Sequence, residues 1–483
     1  MRRAYRKWKN LNDIAYLQKF KEIKKLYRCS LLKSRHKIEA EIVSSKCPQK
    51  FYKYINKFFN NSKSDKIAIS VKGIVETNPI IVANSFNDYF ISVFNPAIGN
   101  VITTDFSDDK SSPLLDEITV KKAILSMSNS MSVGPDIVPS IFWKNLVLVL
   151  SPFLTKLFNK FLDNGYFPEI WKISKIKPLY KGSGNKTDPS TYRPIALTCV
   201  LCKIFEKCVV MIISNKLNID LHTSQHGFRK KQSTLTNILQ FYNALFTQKS
   251  KSHTIDMIAF DLSKAFDKIS HAILIKKISK YITDRRIILF FENFLLNRKQ
   301  FVALEGVNSL LLPVSSGVPQ GSVLGPLLFS VYINDIFDLR LNSFLNLYAD
   351  DIKMFGVAGD ALQKDIDTLC VYFTANSLLV NLKKTFALSV GRKPSKSIYY
   401  INGLSIDRTD IFKDLGVLTD SNFTYHSHVM RVKQKCCRLI NIAFRVFANK
   451  DRSFFLKFYI SYVIPIIDYC SPVYLNFSIT VII

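Results

Sequence analysis

Apolar residues recur at helical spacing from the start of the chain: Ile14, Leu17 and Phe20, then Ile23, Leu26 and Tyr27. Lys and Arg fill the positions between them, so the pattern predicts one or two basic amphipathic helices over residues 1–60. FNDYFISVFNPAIG reads as a helix that stops at Pro96, and TTDFSDDKSSP as a polar loop and a boundary. EITVKKAILSM is again helical, SVGPD turns at Gly134 to Asp136, and one long helix is predicted from about Ser140 to Asn164, ended by Gly165. From about residue 171 the period shortens. WKISKIKPLYKGSG reads as a strand that ends in a Gly/Ser turn, and TIDMIAFDLSKAFD as a buried strand that runs into a helix start. FLNLYADDIKMFGV places two short apolar runs around an acidic turn, which predicts a β-hairpin. Helices fill the intervals, so the class is α+β. There is no internal repeat and no low-complexity tract.

Composition adds a core and a partner. Of 483 residues 48% are hydrophobic and 37 are Phe, enough to build a large interior across two to four structural units. Lys and Arg number 67 against 37 acidic residues, a formal net charge of +30. A surplus of that size points to a polyanion, although an AT-rich coding sequence also yields many Lys, Asn, Ile and Phe residues, and an anionic membrane surface is a third reading. Residues 1–60 hold 17 of the basic residues and 4 acidic ones, interleaved with Tyr5, Trp8, Tyr16, Phe20 and Tyr27. That stretch is either a nucleic-acid-binding arm or a solvated helical linker.

Nine cysteines without a paired framework indicate reduced, buried thiols in an intracellular protein of the nucleus or cytoplasm. Cys199 and Cys202 form a lone CxxC, and Cys436-Cys437 has no His at ligand spacing, so zinc is not expected. No signal-peptide pattern follows MRRAYRKWKN. The apolar stretch Phe458 to Ile483 is broken by Pro465, Asp468 and Pro472, so it is expected to pack in protein, without stable membrane association.

Chemistry gathers at three aspartates. Asp350 and Asp351 adjoin in an apolar setting, Leu347-Tyr348-Ala349 before them and Ile352 after. Two such carboxylates repel each other and lose hydration unless cations compensate. A bare pair is also a common solvated turn. Asp261, at the end of the apolar run Met257 to Phe260, can supply the other half of a metal site. Mg²⁺ takes one or two carboxylates plus substrate phosphates, and two such ions serve phosphoryl transfer.

FDLSKAFDKISH resembles motif A of reverse transcriptases, SSGVPQGSVLGPLLFSVYINDI motif B, and LYADDIKMF the YxDD box of motif C, in the family's order. WKISKIKPLYKGSGNKTDPSTYRPIALT and HGFRKKQST resemble its finger motifs, GPDIVPSIFWK an earlier block of non-LTR elements, NLKKTFAL motif D, and DIFKDLGVLTD the primer-grip region. The match covers roughly residues 115–475. GVPQGSVLGPLLF with YINDI is similar to jockey-like LINE elements, whereas group II intron enzymes usually continue differently after PQG. Viral RNA-copying polymerases usually carry Gly where this chain has Ala349.

The resemblance implies a right-hand polymerase: fingers over 113–250, palm over 251–390, primer grip and a shortened thumb over 391–483, and a basic helical extension or linker over 1–112. It implies an RNA-directed DNA polymerase of a non-LTR retrotransposon, with an RNA template, a DNA primer or target, deoxynucleoside triphosphates and two Mg²⁺ ions, for which Mn²⁺ can substitute. Asp261 and Asp350 resemble the metal-binding aspartates, and Asp351 an accessory acid. Phe266, five residues after Asp261, resembles the aromatic gate against a ribose 2′-hydroxyl, with a core Phe as the alternative. Gln320 and Gly321 resemble the segment beside the incoming nucleotide and template base. Arg229 and Lys181 resemble residues that clamp the triphosphate, with a solvated surface charge as the alternative for Lys181. Lys384, next to Lys383, resembles the lysine that protonates the leaving pyrophosphate. Arg431, Lys435 and Arg438 lie on one helical face and resemble a thumb surface that grips the primer–template duplex. Complete elements of this type carry an endonuclease ahead of the polymerase and continue beyond this point, so a fragment is expected, either an active polymerase or a silent nucleic-acid-binding remnant. Every catalytic position carries the family's residue, which favours the former.

Overall fold

A computed structural model of the protein describes residues 2–11, 14–59, 67–71, 73–96, 113–129, 133–214, 220–250, 254–391 and 394–475. Most of the polar loop expected at TTDFSDDKSSP and the last eight residues of the apolar C-terminal stretch lie outside them. The chain forms two units: Lys66–Ile411, and Met1–Asp65 together with Phe412–Ile483.

The central unit carries two mixed sheets. In the first, the strand order is Asp407–Arg408, Phe386–Val390, Ile255–Asp261, Asp351–Val357, Phe344–Tyr348. Ile255–Asp261 lies in the middle and is buried at every residue except its last, which is why it reads as an unbroken apolar run. The one polar residue inside it, Asp256, is fully buried. It accepts hydrogen bonds from Ser389 (2.7 Å), Tyr399 (2.7 Å) and Arg408 (2.7 Å), so the sheet carries its own counter-charge. In the second sheet Ile173–Tyr180 runs antiparallel to Tyr192–Leu197 and parallel to Lys299–Leu304.

Helices Val147–Asp163, Val200–Ile212, Arg285–Leu295 and Gly325–Ile333 share one large core with the first sheet, and Phe158, Phe167, Phe205 and Phe290 meet within it. The helix expected from Ser140 to Asn164 is two, Ser140–Asn145 and Val147–Asp163, because Leu146 between them leaves helical geometry (φ −103°, ψ 14°).

The stretch read as one extension over 1–112 holds two different structures. Helix Pro79–Ser92, capped by Asn78, belongs to the central unit and packs Val82, Phe86 and Phe90 against Ile176, Tyr192 and Val302 of the second sheet. Helices Arg2–Leu11, Ile14–Ser44 and Pro48–Phe59, three where one or two were expected, belong to the other unit; Pro48 opens the third, at a position where its missing N–H would be unbonded in any case. Phe51 stacks on Tyr462 (4.5 Å between centroids) and meets Phe447 and Phe458 from the far end of the chain. Cys199, Cys202, Cys208, Cys436 and Cys470 are buried as expected, but Cys29 is exposed in a stretch of helix Ile14–Ser44 that is exposed all round, and Cys437 on the polar side of the amphipathic helix His426–Val446. Among the described residues no helix is long and apolar enough to cross a membrane.

Glu39 ties the two ends of the chain together. Its fully buried carboxylate accepts from the backbone N–H groups of Ala448 (2.9 Å) and Asn449 (2.9 Å), from the Tyr54 hydroxyl (2.7 Å) and from Arg35 (2.9 Å). Burial pushes its pKa up, but those four donors outweigh it and the carboxyl titrates below its ordinary range. A carboxyl with a lowered folded pKa stabilises the fold above its unfolded value and loses that contribution as pH falls through the folded one. Glu39→Ala should therefore destabilise the protein by about 2–4 kcal/mol at neutral pH, read from the urea midpoint, with the difference from the parent shrinking on acidification below about pH 4. An unchanged midpoint at pH 7 would remove Glu39 from this account.

Candidate active site

The site is built where the central strand ends beside the acidic hairpin. Strand register pairs Asp351 with Asp261 on one side and with Tyr348 on the other, so Ala349 and Asp350 form a two-residue turn next to Asp261. Ala349 sits at φ +57°, a conformation that glycine adopts more readily. A segment far upstream in the sequence holds it there. The Ser224 carbonyl accepts from the Leu347 N–H (2.9 Å), the His226 N–H donates to the Leu347 carbonyl (3.0 Å), and the buried Gln225 Oε1 accepts from both Gly227 N–H (2.9 Å) and Ala349 N–H (3.3 Å). Gly227 is required at this crossing, since a Cβ there would stand 2.3 Å from the Ala349 nitrogen.

Asp261 is steadied by Asn381, whose Nδ2 donates to its Oδ2 (3.0 Å), and by Lys384, whose Nζ lies 3.7 Å from the same oxygen. Asp350 titrates above its ordinary range, first because it is buried and then because Asp261 is close, while Arg193 opposes the rise. Two carboxylates thus share a space that favours a cation or a proton. A hard divalent ion fits this all-oxygen donor pair; among the described residues no group of three or more His, Cys, Asp or Glu side chains converges.

Both aspartates line a cavity of about 520 Å³. It also takes in Phe266, Gln320, Lys181 and Lys384 from the sequence-derived candidates, and leaves Asp351, Gly321 and Arg229 outside. Phe266 is half-buried, stacked on Phe329 (4.5 Å) with Phe228 edge-on (6.2 Å), so it is both a core contact and a wall. Gln320 donates to Asp267 (2.8 Å), which fixes its amide. Gly321, at φ +125°, allows close backbone approach to Ala196, whose carbonyl a Cβ would meet at 2.6 Å. Arg229 turns away from the cavity and donates to the carbonyls of His222 (2.6 Å) and Gln225 (3.1 Å), bracing the segment that holds the hairpin. Asp351 is exposed. Arg431, Lys435 and Arg438 stand on helix His426–Val446 of the other unit, where Arg431 and Lys435 open onto one cavity and Arg438 onto another.

The cavity holds cations and polar groups that motif reading did not single out: Arg193, Lys264, Tyr89, Asp267 and Asn381. Burial, then Lys264, Lys384 and Arg193, lower the pKa of Lys181, a sign that these charges crowd one wall. Lys264 donates to the Tyr89 hydroxyl (2.5 Å) and lies over its ring (4.2 Å). Burial raises Asp267 to about 6 against the pull of Gln320, Lys264 and Lys181. TYRP carries the arginine and AFDK the buried aspartate, both within or beside stretches already compared with family motifs.

Residues 184–425 match the family model described as reverse transcriptase (RNA-dependent DNA polymerase). The chain is 29% identical over 335 residues to the RNA-directed DNA polymerase from mobile element jockey of Drosophila melanogaster, covering 65% of this chain and 36% of that one. It is 28% identical over 342 residues to the probable RNA-directed DNA polymerase from transposon BS of the same species, covering 66% and 37%. The chain therefore spans little more than a third of the length of these relatives. Among solved structures, apo telomerase from Candida tropicalis aligns at a TM-score of 0.35 and 17% identity over 58% of this chain and 60% of that one, too weak a likeness to carry an argument.

A buried carboxylate with a raised folded pKa stabilises the fold below its unfolded pKa and costs stability as pH rises through the folded one. Asp350→Asn should accordingly raise the melting temperature by about 2–4 °C at pH 7 in chelator, and the gain should vanish near pH 4. A variant that melts below the parent at pH 7 would show that the two carboxylates do not strain each other.

Proposed function

Since the chain belongs to the reverse transcriptase family and is similar to the jockey-like non-LTR enzymes, we propose that it is an RNA-directed DNA polymerase whose active site is the Asp261–Asp350 cavity. The observation that carries this reading is the pairing of the two aspartates in a space walled by Lys181, Arg193, Lys264 and Lys384. Asp261 and Asp350 would hold two Mg²⁺ ions, with Mn²⁺ as substitute. Bound there, such ions lower the pKa of a primer 3′-hydroxyl and neutralise the leaving oxygen. The chain's own groups do the rest. Asn381 and Lys384 fix the Asp261 carboxylate, and Lys384 can donate a proton to the departing pyrophosphate. Arg193 and Lys181 replace Arg229 as the triphosphate clamp, with the planar fork of arginine and the point charge of lysine. Phe266 faces the sugar and excludes a 2′-hydroxyl. Gln320, oriented by Asp267, lies against the incoming nucleotide, and Gly321 keeps its loop seated on Ala196.

In the hand description, the first sheet is the palm, the second sheet with helix Pro79–Ser92 belongs to the fingers, and helix His426–Val446 is the thumb helix. Arg431, Lys435 and Arg438 would contact the phosphates of the primer–template duplex, and the exposed lysines of Ile14–Ser44 would hold RNA, both independently of sequence.

Primer extension on poly(rA) with an oligo(dT) primer tests this. Asp261→Asn and Asp350→Asn should each lower extension by roughly a hundredfold or more while binding of the primer–template persists, and Asp351→Asn should be milder. Extension at the parent rate by either of the first two would overturn the assignment. Phe266→Val should raise ribonucleotide use relative to deoxynucleotide, and an unchanged ratio would return Phe266 to the core alone. Arg193→Gln should raise KM for the nucleotide more than Arg229→Gln does; the reverse order would restore Arg229 as the clamp.

A further inference from the structure

The loop that carries Gln320 and Gly321 leads into helix Gly325–Ile333 and meets a buried carboxyl group near each end. At its start the Gly317 N–H donates to the Ile269 carbonyl (2.8 Å), the Val318 N–H to the Phe266 carbonyl (3.0 Å) and the Gln320 amide to Asp267 (2.8 Å). At its end the N–H groups of Val323 (2.7 Å) and Leu324 (3.0 Å) both donate to one oxygen of Glu206, on helix Val200–Ile212. The other oxygen of Glu206 accepts from the Cys202 thiol (3.3 Å). Glu206 is fully buried. Burial pushes its pKa up, and the Leu324 N–H, the Cys202 thiol and the fully buried Arg298 pull it back.

A carboxylate sealed from water is costly, and a serine or aspartate at position 324 would cap the helix locally. Leu324 supplies no side-chain cap. The bonds from the Ser322 N–H to the Pro319 carbonyl (3.1 Å) and from the Gly325 N–H to the Ser322 hydroxyl (2.9 Å) lie within the loop, so they shape it without fixing where it stands. Glu206 does fix it. Strand Tyr192–Leu197 leads directly into the helix that bears Glu206. Ala196 of that strand donates its N–H to the Gln320 carbonyl (2.8 Å), and Arg193 of the same strand lines the Asp261–Asp350 cavity. One continuous segment thus holds the middle of the loop at Ala196 and its end at Glu206. We propose that Glu206 is a positioning residue for nucleotide binding, an inference that rests on the polymerase reading. It touches no ligand; through the Val323 and Leu324 N–H groups it sets the distance between Gln320 and Arg193 across the cavity. The reach of its side chain does this, and its charge does not.

The test measures the Kd of dTTP for the full chain on poly(rA) with a dideoxy-terminated oligo(dT) primer, which cannot be extended, and KM and kcat on the extendable primer. Glu206→Asp keeps the charge and withdraws the oxygens by one methylene. Glu206→Gln keeps the reach and gives up the charge. Glu206→Met gives up both acceptors. Glu206→Asp and Glu206→Met should weaken dTTP binding by about five- to twentyfold and raise KM in step, with kcat per active molecule within about twofold of the parent. Glu206→Gln, whose amide oxygen still accepts from both N–H groups, should bind dTTP within about twofold of the parent. Affinity for the primer–template should be the same in all three. If Glu206→Met does not fold, Glu206→Asp decides. Parent-like binding by Glu206→Asp, equal weakening in Glu206→Gln, or a fall in kcat with KM unmoved would overturn the proposal, the last because a role in stability alone gives that result. Binding of dTTP by a parent that does not extend primers would sink only the polymerase reading. Extension by the parent, matched in KM by Glu206→Asp, would sink only this inference, and a parent that binds no dTTP would overturn both.

Discussion

The loss of hydration at Asp350, next to a second carboxylate, is the constraint around which the central unit is arranged. Sheet register brings the end of one buried strand beside a two-residue turn, and both positions carry a carboxylate. Asp350 is half-buried, so solvent screens its charge less than it would in water. The surroundings answer in two ways. Asn381 and Lys384 restrain Asp261, and Gln225 with Gly227 restrains the Ala349 turn. Lys181, Arg193 and Lys264 meanwhile give the same cavity the opposite charge at its wall. Under the proposed function, this arrangement suits a ligand that combines cations with polyphosphate. Strain kept at a functional site in this way needs a rigid frame.

That frame is supplied by elements with no chemical part in the site. The aromatic core around Phe158, Phe205 and Phe290 fixes the helices behind the first sheet, and the Asp256–Arg408 pair satisfies the one charge inside the central strand. Gly321 and Gly227 serve as crossing points where two backbones approach too closely for a side chain. Substitution at either is expected to act on the site through the backbone and not through lost contacts.

Legibility in the sequence followed range. Ile255–Asp261 and the YADD hairpin were readable because a continuous apolar run and a turn between two such runs are local signals. Asp261, Asp350, Phe266, Gln320, Lys181 and Lys384 converge on one cavity, as the motif order implied. Arg229 shows what a motif cannot settle: whether a guanidinium faces the cavity or its own backbone depends on carbonyls at 222 and 225 that happen to point toward it. Tyr89 and Arg193 come from separate stretches and gain their place only through tertiary packing, whereas Lys264 lies three residues after Asp261. The same holds for Glu39, whose backbone partners lie some four hundred residues away. No periodicity within residues 1–60 announces that contact: helix was visible there, but the helices are three and not one or two, Ile14, Leu26 and Tyr27 of the expected apolar stripe are exposed, and the packing partner was not visible.

On the proposed function, Asp261 and Asp350 together form one divalent-cation site. Anomalous diffraction from crystals grown with Mn²⁺ and a nonhydrolysable nucleotide tests it most directly. A Mn²⁺ peak with an oxygen of each aspartate in its coordination sphere, at about 2.0–2.3 Å, is expected. A Mn²⁺ ion bound to one aspartate alone, or seated elsewhere while the nucleotide occupies the cavity, would contradict it.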